Sequence, residues 1–157
     1  MRTLLLLLLL TGCSVTRFYQ GPAVSAELAK NEKSLAIVVE SVTSDFAQKS
    51  AFMTKIHERG KDPFIMENLD QKLTELKARK QILITKTESL LKANNQLLLE
   101  VNKKNEIKEG DPVFKNLETF ADKKDVAIGE LMKDLAAYKK SSAEFEKLAF
   151  FTKMVKR

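Results

Sequence analysis

The chain has 157 residues, Lys+Arg 27 against Asp+Glu 21, a formal net charge of +6 and 44 % hydrophobic residues. That is enough apolar material for one folded domain rather than a disordered tail. One cysteine excludes an intramolecular disulfide or a cysteine zinc cluster, one histidine argues against a His-based site, and five glycines and three prolines are too few turn residues for an all-β fold.

The first segment reads as an address rather than as structure. Met1-Arg2-Thr3 is a short positive stub, Leu4 to Leu10 is an unbroken leucine run, and Thr11-Gly12-Cys13 follows directly. A positive stub, an apolar core and small residues at its end make a secretory signal peptide, here 1–12. As a helix the leucine run spans only about 10 Å, against a hydrocarbon core of about 30 Å. It is too short for an ordinary transmembrane helix.

Leu10-Thr11-Gly12-Cys13 resembles the lipobox of bacterial lipoproteins: an aliphatic residue, two small residues, then cysteine. The resemblance covers the leader and Cys13 only. It implies cleavage before Cys13, diacylglycerol on its sulfur and acylation of the new amino terminus, with the covalent lipid as the sole prosthetic group. Several acyl chains, each worth about 0.8 kcal/mol per buried CH₂, make a durable membrane anchor. Ser14 follows, and resemblance to enteric lipoproteins implies outer-membrane sorting, with the chain facing the periplasm.

Residues 13–21 read as a lipidated tether, and 22–157 as an all-α, elongated antiparallel three-helix bundle. After Pro22 the pattern is helical with two interruptions, Gly60-Lys61-Asp62-Pro63 and Gly110-Asp111-Pro112. In each, glycine can close the preceding helix in the left-handed conformation. Asp can then cap the next helix, with Pro at its first position. The expected helices are 22–59, 63–108 and 112–155. The apolar stripes have helical spacing: Leu28, Leu35, Val38, Val39, Val42, Phe46, Met53 and Ile56 in the first, Leu117, Ala121, Ile128, Leu131, Leu135, Tyr138, Phe145, Leu148 and Phe151 in the third.

The second helix carries Leu69, Leu76, Leu83, Leu90 and Leu97 at every seventh position. With these at d, the a positions are Met66, Leu73, Lys80, Thr87, Asn94 and Val101. A dimeric zipper fits this pattern, but the stripes of the other two helices also need burial, which favours packing within one chain. Lys80, Thr87 and Asn94 are expected at the edge of the stripe, reaching water. The alternative is a partly polar, adjustable middle.

No catalytic constellation is visible. His57 falls at a helix C-terminus, where a cation suits the dipole. There is no phosphate loop, no Gly-x-Ser-x-Gly, no His-Glu-x-x-His and no Glu-x-x-His pair. No enzyme activity, metal or further cofactor is therefore expected. Lysines dispersed among acids indicate solvated helix faces and not a nucleic-acid surface.

Antiparallel topology puts one end of the bundle beside Cys13 and the other about 60 Å away. The far end is expected to gather Phe52, Phe64, Phe150, Phe151 and Met154 with Lys61, Lys153, Lys156 and Arg157. Aromatics beside cations suit a protein partner or an acidic polymer such as the cell wall. The bland alternative is a hydrophobic plug with a frayed basic tail. The murein-linked outer-membrane lipoprotein is similar in its acylated cysteine and helical body. It ends in the lysine that joins the wall, whereas Lys156 is followed here by Arg157, so covalent attachment does not carry over. The expected role is a noncatalytic interaction, scaffold or spacer module, with self-association as one form of partnership. The alternative is a chaperone-like or ligand-binding bundle.

Overall fold

The structure is a computed structural model, and it describes residues 17–59 and 63–154. The leader, Cys13, the first glycine turn, Lys156 and Arg157, and the side chains of Lys153 and Met154, lie outside the described residues. The elements in chain order are β1 (Phe18–Gln20), α1 (Gly21–His57), α2 (Pro63–Val101), β2 (Glu106–Lys108) and α3 (Pro112–Met154). Helices of 37, 39 and 43 residues are about 56–64 Å long. The fold is the expected all-α three-helix bundle, with a small antiparallel β-ribbon added.

The ribbon corrects two boundaries. Residues 13–21 were expected to be a lipidated tether outside the folded part, yet Phe18, Tyr19 and Gln20 pair with Lys108, Ile107 and Glu106. The second helix was expected to run to 108, yet it stops at Val101. The physical reason is a change of period. Asn102 to Asn105 form a tight turn in which the Lys104 amide donates to Val101 O at 2.9 Å. Glu106-Ile107-Lys108 then alternates exposed, buried, exposed, a period of two that a helix cannot satisfy.

Gly110 is left-handed (φ 95°), as expected, but it closes the turn after β2 and not the end of α2. The cap that follows is as expected: Val113 N–H donates to Asp111 Oδ1 at 3.0 Å, with Pro112 opening α3. Gly21 marks a different need. A Cβ there would lie 1.9 Å from Lys104 O, so only glycine lets α1 start against the turn that ends α2.

α2 lies between α1 and α3 and packs closely on both. Leu69, Leu76, Leu83 and Leu97 are buried within the chain, so the heptad seam is consumed by intrachain packing. The core has two parts. One joins Val42, Met53, Ile56, Leu76, Tyr138 and Phe145 toward the α1–α2 turn. The other joins Leu28, Leu97, Val101, Ile107, Phe114 and Leu117 at the ribbon end.

Between them stand Thr87 and Asn94, both 0 % exposed. This overturns the expectation that they sit at the stripe's edge. Thr87 is tolerated because its hydroxyl donates to Leu83 O at 2.7 Å. Asn94 Nδ2 donates to Leu28 O at 2.9 Å, while its Oδ1 has no partner. Lys80 is half-buried and sets its ammonium 4.8 Å from the centre of the Phe46 ring.

Candidate functional site

The far end of the bundle is built by the C-termini of α1 and α3 and the N-terminus of α2, whose Met53, Ile56, Met66, Phe145 and Ala149 share one core. On the outside of that plug stand large apolar side chains. Phe64 is 74 % exposed, Phe150 54 % and Phe151 59 %. The Phe150 and Phe151 rings meet edge-on at 6.3 Å. Phe52, by contrast, is half-buried and packs edge-on against Phe145 at 6.1 Å, so it belongs to the plug. Buried side chains thus plug this end on the inside, and exposed aromatics stand on the outside. Lys61 and Lys156 lie outside the described residues, as does the Lys153 side chain. His57 Nε2 lies 3.1 Å from Asp70 Oδ1 and links α1 to α2 at this end.

A polar clasp between α1 and α3 was missed by sequence reasoning. Lys49 lies on the apolar stripe of α1 and is 6 % exposed. Its ammonium donates to Asp45 Oδ1 at 2.5 Å and to Glu146 Oε1 at 2.9 Å. Tyr138 donates to Asp45 Oδ2 at 2.8 Å, and Ser142 reaches the same carboxylate at 3.1 Å. Burial pushes the Asp45 carboxyl up, but hydrogen bonds from Lys49 and Tyr138 outweigh it and hold it below its ordinary value. Burial pushes Lys49 down, and its two carboxylate partners outweigh that and raise it. Burial and the Asp45 hydrogen bond push the Tyr138 hydroxyl far up. The cluster fastens α1 to α3.

A second fastener joins α2 to α3. Glu75 accepts from Ser141 at 2.7 Å, from Lys72 at 3.0 Å and from Arg79 at 2.9 Å. These bonds, Ser141 first, lower its carboxyl to about 2. Lys72 also reaches Glu144 on α3 at 2.6 Å, and Lys86 reaches Asp134 at 2.7 Å.

Two concavities stand out among the described residues. One of about 640 Å³ lies along Pro63, Met66, Asp70 and Thr74 on a single stretch of α2, and is an open surface. The other, about 410 Å³, is an open groove between α2 and α3 lined by Leu90, Leu97, Phe120 and Ala127. Among the described residues no three His, Cys, Asp or Glu side chains converge as a metal site would need, and no helix is long and apolar enough to cross a membrane. No family model, curated protein or solved structure matches this chain.

Proposed function

We propose that the chain is a lipid-anchored, noncatalytic interaction and spacer module of a bacterial cell envelope. Cys13 carries the lipid, the bundle faces the periplasm from the outer membrane, and the far end presents Phe64, Phe150 and Phe151 to a protein partner. One observation carries the reading. The residues just after Cys13 are tied into one end of a long rod by the pairing of Phe18–Gln20 with Glu106–Lys108. Phe64, Phe150 and Phe151 stand exposed at the opposite end, about 60 Å away by helix length. A rod fixed at one end and apolar at the other holds a partner at a set distance from a membrane.

Site-specific photo-crosslinking tests this. A crosslinker at Phe64, Phe150 or Phe151 is expected to trap one stoichiometric partner in intact cells. The same crosslinker at Ile37, on the side of α1 and 64 % exposed, is expected to trap none. Equal trapping at all four positions contradicts the reading.

The α2–α3 groove favours a second reading, in which the bundle holds an apolar ligand or an unfolded client between Leu90, Leu97 and Phe120. Broad suppression of client aggregation, lost on Phe120→Asp, supports it.

A further inference from the structure

The end of the rod that carries the ribbon has a chemistry of its own. The ribbon's inner face, Tyr19 and Ile107, closes the core: Ile107 is 0 % exposed and Tyr19 stacks on Phe114 at 5.0 Å. The outer face therefore looks away from the bundle. There Phe18, 51 % exposed, is the cross-strand partner of Lys108, and both side chains project to the same outward side. At the same end of the bundle Arg17, Lys103 and Lys115 are exposed and Lys104 is half-buried. This end holds five cations, Arg17, Lys103, Lys104, Lys108 and Lys115, interspersed with five acids, Glu100, Glu106, Glu109, Asp111 and Glu118. Lys104 pairs with Asp111, and Lys108 lies 3.5 Å from Glu106, whereas Arg17, Lys103 and Lys115 form no ion pair among the described residues.

We infer that this end is a foot that docks on an anionic phospholipid surface, with Phe18 entering the headgroup region and Lys108, Arg17 and Lys103 meeting lipid phosphates. The inference rests on the proposed lipid anchor at Cys13 and goes beyond it. The length of chain before the fold selects the occupant. The chain is held from Arg17 on, where Arg17 O accepts from Glu109 N at 2.9 Å. Only three residues separate Arg17 from Cys13, so this end stays within about 14 Å of the anchored cysteine. An aromatic flanked by long cationic side chains suits the membrane interface, where rings sit at headgroup level and lysine and arginine reach phosphate. A foot of this kind does what a flexible tether cannot: it fixes the rod's direction, so that the far end stands off the membrane.

The chain has no tryptophan, so a single one reports its own surroundings. Lipidated full-length protein carrying Phe18→Trp is reconstituted into vesicles of phosphatidylethanolamine and phosphatidylglycerol. Its emission is expected to shift to shorter wavelength and to be lost when the acyl chains are brominated. Phe64→Trp, at the far end, is expected to keep its emission. Lys108→Trp, on the same outward face, repeats the measurement should the first change disturb the ribbon. Arg17→Glu with Lys103→Glu is expected to reduce the quenching at position 18 while flotation with the vesicles is unchanged. Solvent-like, unquenched emission from both ribbon positions in protein that still floats overturns the foot and leaves the anchor standing. Failure to float, with no lipid mass on Cys13, overturns the anchor and the foot with it.

Discussion

Lys49 on α1 and Glu146 on α3 are 2.9 Å apart, and among the described residues theirs is the only ion pair joining the first helix to the third. α1 and α3 meet through side chains: Lys49 at Glu146, Tyr138 and Ser142 at Asp45, and the Phe52–Phe145 ring pair. Lys49→Ala removes the centre of that contact and leaves Asp45 and Glu146 without their cation. A loss of about 2–3 kcal/mol is expected in urea unfolding, from hydrogen bonds to charged groups at a site with little access to water. Tyr138→Phe is expected to lose about 1–2 kcal/mol by the same measurement.

Glu75 predicts an acid-labile α2–α3 junction. Its folded value of about 2 lies below its ordinary 4.5. The unfolded chain therefore binds more protons across that interval, and stability rises with pH through it. The contribution is present above pH 4.5 and is lost as pH falls toward about 2. The side chain is about one third exposed, so solvent screening holds the effect to about 1 kcal/mol. The difference in stability between the wild type and Glu75→Gln, followed by urea unfolding from pH 5 to pH 2, is expected to shrink toward the acid end.

The helices were legible because their apolar positions recur at three and four, and the second break was legible because Gly110, Asp111 and Pro112 each do one job in a helix restart. The ribbon was hidden because three-residue strands carry almost no pattern. The one clue was Glu106-Ile107-Lys108 alternating after a polar turn. Lys49 was hidden for another reason. Its position fits the stripe between Phe46 and Met53, but a charge there makes sense only once Glu146, 97 residues away, is known to meet it. Asp45, one helical turn earlier, was the local hint. Thr87 and Asn94 fell on heptad a positions, and the heptad was the better guide than their polarity.

Asn94 predicts a gain of stability on removal. Its Oδ1 is buried with no donor. Asn94→Leu trades an unpaired acceptor for apolar contact with neighbouring Leu28 and Leu97. Thermal unfolding is expected to show a gain of about 1–3 kcal/mol.

Two glycines predict opposite outcomes for the same change. Gly129 lies inside α3 with open space where a Cβ would go. Gly129→Ala is expected to stabilise by about 0.5–1 kcal/mol, because glycine loses more backbone entropy on folding. Gly21→Ala drives a methyl group into Lys104 O and is expected to cost more than about 2 kcal/mol. Hydrogen exchange is expected to rise selectively at Phe18–Gln20 and Glu106–Lys108, which share that end.

The central claim is that this rod is held to a membrane by lipid on Cys13. Intact-mass analysis of the protein extracted from cell membranes tests it most directly. A chain that begins at Cys13 and carries diacylglycerol and an amide-linked acyl group is the expected result, with Cys13→Ala accumulating as an unlipidated precursor that retains Met1–Gly12. An uncleaved, unacylated wild-type chain in the soluble fraction would contradict it.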